Sequence, residues 1–366
     1  MFSLRLTELP MPTGSRDADV LVDWLLESMG LVRRRVEGSG EGEYSGTLHR
    51  IMRGALLADP LRGWDSRGLG DETGLSNTGI HHQMTKLREC GLVSTKVEGK
   101  WHRHVLRGGS ISSATRLVGV QAKAILGIQL MGLSALVKES EIRMEVQSED
   151  EEPPLSIRIS EPGPREEGRE PIDMLVDGIG LSGDSPRADD RIASQVLSSI
   201  CSSDRPVTIL ALSERISESR GRVKTVIERM RAAGMVERVP MLDRIPQDVF
   251  TGLMRQLDAR GEEWLLSKGG LGRLDGSVSK KLVEGAKAGS LDIEGVRTIL
   301  KPVTVSNQRI LLNTIGGRMP LGFRIAGKDH KSVSERVMRM AERTIRRINT
   351  VAERLDQSLQ EEQLAN

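Results

Sequence analysis

The chain has 366 residues and a formal net charge of +2, which suits two or three domains and leaves any argument for a polyanionic partner to local charge. Its two cysteines, Cys90 and Cys201, exclude a disulfide framework and a four-cysteine zinc site within one chain, and they suit a reducing, cytoplasmic compartment. Aromatic residues make up 2% of the chain, too few for the stacking platforms that grip single-stranded nucleic acid.

Arg5, Glu8 and Pro10 interrupt any apolar run after Met1, so no signal-peptide pattern opens the chain. Residues 1–46 read as an N-terminal cap. Phe2 to Leu6 alternate as a strand does, Asp19 to Met29 carry helical spacing closed by Gly30, and Gly38 to Gly42 read as a turn. Residues 47–110 form a first helical unit with a hairpin. Residues 111–145 hold a long apolar helix. Within it, Leu117 to Val137 is long enough to suggest a membrane span, but Gln121, Lys123 and Gln129 favour a buried helix packed on a partner, including one from a second subunit. Residues 146–188 are acidic and rich in Pro and Gly, and predict a largely disordered linker with a short strand at Leu155 to Ile159. Residues 189–266 form a second helical unit, and residues 267–330 carry no assignable pattern. Residues 331–366 read as one long helix. Val337, Ala341, Thr344, Ile348, Val351 and Leu355 alternate by four and three, which predicts a coiled coil joining two chains; the alternative is an amphipathic helix lying on its own domain.

The first unit is the most informative. A helix over Thr47 to Ala58 ends before Pro60, a short one spans Ser66 to Thr73, and Gly74-Leu75-Ser76 turns into a third. Ser76 is a suitable N-cap, and Gly91 stands where a left-handed C-cap is needed. At about 100° per residue, Ile80, Met84 and Leu87 share the core face. Thr78, His82, Thr85 and Lys86 then point away from it, flanked by Asn77 and His81. Short polar and basic groups on that face suit base edges and phosphates. Leu92 to Val97 and Trp101 to Arg107 predict a hairpin, or wing, whose Lys96, Lys100, Arg103 and Arg107 suit a phosphate backbone.

The run Gly74-Leu-Ser-Asn-Thr-Gly-Ile-His-His-Gln-Met-Thr-Lys-Leu-Arg-Glu-Cys-Gly-Leu-Val, followed by Val97-Glu-Gly-Lys-Trp, resembles the DNA-binding core of the arsenic-repressor (ArsR-type) winged-helix family. The likeness is confined to residues 47–107. It implies major-groove binding, usually as a dimer, through Ser76, Asn77, Thr78, His81 and His82. It does not imply metal sensing, because the cysteine clusters of the family's metal sensors are missing. His81 and His82 diverge by about 100° on a helix, so these two, with His102 and His104, are expected on DNA or at the surface, with packing in the core as the lesser alternative, rather than around a metal.

Val223, Ile227, Met230, Ala233 and Gly234 repeat the positions of Ile80, Met84, Leu87, Cys90 and Gly91 at a constant offset. This second copy presents Arg220, Arg222, Thr225 and Arg229 as candidate DNA contacts. The turn before its third helix reads as longer than in the first copy, prolines weaken its wing, and Ala259 to Leu266 resembles the helix that follows a wing. Enzyme signals are weak: in Gly322 to Lys328, Asp329 replaces the hydroxyl residue a phosphate-binding loop needs. The expected architecture is therefore mainly α with small β-hairpin wings (α+β), comprising tandem winged helix-turn-helix units and a C-terminal coiled coil. The expected function is a homodimeric transcriptional regulator of double-stranded DNA, with no catalysis, cofactor or metal. A chromosome-architecture or replication-associated binder of low sequence preference, and a winged-helix scaffold for protein, are the alternatives.

Overall fold

The computed structural model describes residues 1–32, 46–99, 101–144, 146, 148, 151–164, 167–183 and 190–365. The fold is mainly helical with three small antiparallel sheets, an α+β arrangement. In the first half, β1 (Ser3–Thr7) leads to α1 (Ala18–Ser28), α2 (Thr47–Ile51), α3 (Ser66–Thr73), α4 (Asn77–Glu89), β2 (Val93–Glu98), β3 (Trp101–Leu106) and α5 (Ile111–Leu130). The second half runs through β4 (Ser156–Ser160), α6 (Pro171–Gly178), α7 (Ile192–Cys201), α8 (Ile209–Ile216), α9 (Arg220–Ala232) and β5 (Val236–Pro240). Four helices follow: α10 (Ile245–Ser267), α11 (Gly276–Lys287), α12 (Ile293–Leu300) and α13 (Val305–Thr314). Then come β6 (Leu321–Ile325) and α14 (His330–Ala365). The expected turn at Gly38 to Gly42 lies outside the described residues.

Apart from α10 to α13, the second half repeats the elements of the first in the same order. Helices α3 and α8 have 8 residues each, and α4 and α9 have 13. The N-caps Ser76 and Ser219 stand at one constant offset, as do the left-handed glycines Gly91 (φ +81°) and Gly234 (φ +76°). The same offset links Gly74 (φ +67°) to Ser217 (φ +55°), the one positive-φ residue among those described that is not glycine. The turn before α9 is therefore the same length as the turn before α4, not longer as the sequence suggests. It is hidden in the sequence because a serine stands where a glycine announces the first. The strand β1, Ser-Leu-Arg-Leu-Thr, has its counterpart in β4, Ser-Ile-Arg-Ile-Ser.

The two copies meet as a symmetric dimer does. Strands β1 and β4 pair antiparallel with Arg5 opposite Arg158, so Ser3 faces Ser160 and Thr7 faces Ser156. Leu4, Leu6, Ile157 and Ile159 point into the core. On each side a left-handed glycine packs on the central arginine: a Cβ at Gly30 would stand 2.5 Å from Arg5 Cβ, and one at Gly180 would stand 2.6 Å from Arg158 Cβ. Helices α5 and α14 each begin five residues after the strand they follow ends, counted from Leu106 and Ile325. They pack antiparallel, with Asp356 accepting from the Ser112 N–H (3.1 Å), Arg116 on Glu353 (2.5 Å), Gly119 against Ile345 and Lys123 on Glu342 (3.8 Å).

Three expectations are corrected here. The predicted coiled-coil seam is buried inside its own chain: Val337, Ala341, Val351 and Leu355 are fully covered. Antiparallel contact with α5 and packing on α1 consume it, so the long helix lies on its own domain. The segment 146–188 is not a free linker, because Leu155 and the inward residues of β4 join the core, as do Ile172, Leu175 and Val176 of α6. Breakers there shape turns around short elements whose partners are distant in sequence. Finally, α10, including the stretch from Ala259, does not follow directly on a closed hairpin as expected: it lies between β5 and β6, and α14 is the helix that follows β6. Residues 241–320 are an insertion between β5 and β6 with a separate core of Val249, Leu253, Leu282, Val296, Leu300 and Leu311, among others. Helix α5 is, by length and composition, the one described helix apolar enough to cross a membrane. Its Ala114, Val118, Ala122 and Leu126 face the core, while Leu117, Val120 and Ile128, with Met131 just past its end, are exposed.

Candidate nucleic-acid interface

Helix α3 starts on Asp65, whose carboxylate accepts from the Gly68 N–H (2.7 Å), and ends at the left-handed Gly74. Ser76 Oγ then accepts from the Gly79 N–H (3.3 Å), capping α4. Ser76 is thus first a cap, although it stays exposed. Ile80, Met84 and Leu87 are buried, as their spacing requires. Asn77, Thr78, His81 and His82 are exposed, and Thr85 is half-buried. The N-terminal end of α4 adds the partial positive charge of unpaired backbone N–H groups to this face. Lys86 turns aside: it lines a groove with Gln83, Glu89, Arg5 and Arg158 over the outer face of β1 and β4. Arg88, exposed in the last turn, shares the flank of His81; it escapes a sequence reading confined to the first turns of the helix, although helical phase alone discloses it.

The hairpin β2–β3 pairs in register, with Val93 opposite Leu106 and Glu98 opposite Trp101. Lys96 reaches Glu98 at 2.8 Å, and Arg103 reaches it at 3.1 Å while also donating to the Gly63 carbonyl (3.2 Å). The hydrogen bond from Lys96, and then that from Arg103, hold the Glu98 carboxyl below the usual range. One acid therefore offsets part of the charge expected on the wing. Lys100 lies outside the described residues. Trp101 and Val97 stand exposed near the hairpin end.

The four histidines separate. His104 is 6% exposed, bridges through its backbone to Trp64 and sets Nδ1 2.8 Å from Thr95 Oγ1. Burial, then the charges of Arg88, His102 and His81, push its pKa down to about 4. It belongs to the core, which the period of two along β3 could have disclosed, since Leu106 shares its face. His81, His82 and His102 are exposed. No group of three His, Cys, Asp or Glu side chains converges among the described residues.

In the second copy, Ser219 Oγ accepts from the Arg222 N–H (3.4 Å), and Val223, Ile227 and Met230 are buried. Arg220 and Lys224 are exposed. Arg222 is bonded to Glu218 (2.9 Å) and Asp190 (2.9 Å), so its charge is largely answered within the chain. Thr225 donates its hydroxyl to the Gly221 carbonyl (3.0 Å). Arg229 is a correction: it is half-buried and donates to the carbonyls of Leu181 (3.4 Å) and Ser182 (3.2 Å), so it braces α9 rather than facing outward. It occupies the position equivalent to Lys86, and both face β1 and β4. Beyond α9, β5 pairs with β6, with Val236 opposite Ile325, and Val207 bridges to Phe323 as Trp64 does to His104. The helices α10 to α13 join these two strands. No protein-family model, curated protein or solved structure matches this chain.

Proposed function

We propose that the chain is a cytoplasmic, non-enzymatic transcriptional regulator that binds double-stranded DNA in a sequence-specific manner through two winged helix-turn-helix units. Helix α4 is the recognition helix of the first unit and β2–β3 is its wing. The observation that carries this reading is the division of α4, which buries Ile80, Met84 and Leu87 and turns Asn77, Thr78, His81 and His82 outward beside a hairpin bearing Lys96 and Arg103. Amide and imidazole groups suit base edges in the major groove, and the hairpin cations suit phosphates. The resemblance of residues 74–101 to the arsenic-repressor winged helix supports the same reading.

The test is a binding titration against salt. Asn77→Ala with His82→Ala lowers preference for the best duplex over random duplex by about tenfold or more, since a good bidentate base contact is worth about 1–3 kcal/mol. Lys96→Ala weakens binding to all sequences and flattens the salt slope by about 1. Glu98→Gln frees both hairpin cations, so it tightens binding to all sequences and steepens that slope. Equal effects of the α4 and hairpin variants on preference and slope contradict the assignment.

A further inference from the structure

We infer that one chain is a complete two-headed reader, in which α4 and α9 read two different half-sites arranged as an inverted, non-identical pair. This rests on the DNA-binding reading above. Three observations carry it beyond that reading. First, the copies are related by an internal pseudo-two-fold axis: β1 pairs with β4 about Arg5 and Arg158, and α5 packs antiparallel on α14. An isologous contact of this kind normally joins two subunits; here both partners belong to one chain. Two recognition helices related by a two-fold axis meet duplex DNA as an inverted repeat.

Second, the two reading faces differ at equivalent positions. Asn77, Thr78, His81 and His82 correspond, at the offset that relates the two N-caps, to Arg220, Gly221, Lys224 and Thr225. Asparagine pairs with adenine N6 and N7, whereas arginine and lysine pair with guanine O6 and N7. The α4 half-site is therefore centred on adenine and the α9 half-site on guanine. Third, the flanks differ. Glu98 pairs with Trp101 at the facing ends of β2 and β3, whereas the whole segment 241–320, with its own core, joins β5 to β6, so the basic wing flanks only the α4 half-site. An operator recognised by two copies of one reading helix is symmetric; this one is not.

The experiment enriches duplexes from a random pool with the full chain, then maps the best one by hydroxyl-radical footprinting and counts chains per duplex by native mass. Two variants are compared, Asn77→Ala with His82→Ala and Arg220→Ala with Lys224→Ala. The altered side chains are exposed, and unchanged melting temperatures verify folding. The expected result is two protected blocks of unlike sequence on one duplex, one recognition unit of one chain on each. The α4 variant loses the adenine block and the α9 variant loses the guanine block, each with affinity lowered about tenfold or more. A perfect inverted repeat in which the α4 variant weakens both blocks and the α9 variant neither overturns the inference while leaving DNA binding intact. A chain that enriches no duplex overturns the DNA-binding reading itself, and this inference with it.

Discussion

At the scale of single residues, His104 links the hairpin to the core and sets a pH dependence. Its folded pKa of about 4 lies below the ordinary 6.5, so the unfolded chain binds the proton more tightly. The stabilisation is fully present above about pH 6.5 and is lost as pH falls toward 4. Chemical denaturation at pH 7 and pH 5 should show a drop in unfolding free energy of at most about 2 kcal/mol, because this interval crosses about 1.5 of the pH units between the two pKa values, at about 1.4 kcal/mol each. His104→Gln should remove most of that dependence; an unchanged pH dependence in the variant contradicts the account. The two thiols have a similar origin: burial pushes both Cys90 and Cys201 up to about 12, which makes them poor nucleophiles. Arg143 is buried as well, and donates to the carbonyls of Lys138 (2.7 Å) and Cys201 (3.2 Å), tying the end of the first copy to the second.

At the scale of elements, the third helix of each copy was legible because its information is local. A capping serine, a 3.6-residue apolar period and a left-handed glycine sit within one short window. The partners of other elements were not. The seam of α14 has the same spacing whether it meets another chain or α5, because a heptad pattern specifies a buried stripe and not whose stripe covers it. The pairing of β5 with β6 across the whole insertion leaves no local trace, and the prolines at Pro240 and Pro246 read as an interrupted wing. Likewise the alternation of Leu155 to Ile159 marks a strand, but nothing local names β1 as its partner. The candidate site shows the same limit. Exposure of Asn77 and His82 follows from helical phase, whereas the turning aside of Lys86, the bracing by Arg229 and the neutralisation by Glu98 depend on neighbours that folding supplies. The intrachain account of α14 predicts that Leu355→Ala, at a fully covered position, lowers stability by about 2–5 kcal/mol with a melting temperature independent of protein concentration. A melting temperature that rises with concentration, and whose rise the variant abolishes, points instead to a coiled coil between chains.

At the scale of the whole molecule, two bodies of different standing share one chain. The duplicated body closes about β1–β4 and α5–α14 and contains one continuous core. The insertion has its own core and leaves from Pro240 and returns at Leu321, which are register partners on adjacent strands. Because those ends already meet, replacing residues 241–320 by Asn-Gly should close β5–β6 as a tight hairpin. The shortened chain should still melt cooperatively and retain DNA binding; loss of the cooperative transition contradicts the separation of the two cores. The central claim, that this molecule reads DNA sequence, is tested most directly by one ratio. That ratio is the affinity of the full chain for the best duplex enriched from a random pool, measured against random duplex at physiological salt. The account predicts a preference of about 10³ or more. A ratio near one, or no measurable binding to either duplex, contradicts it.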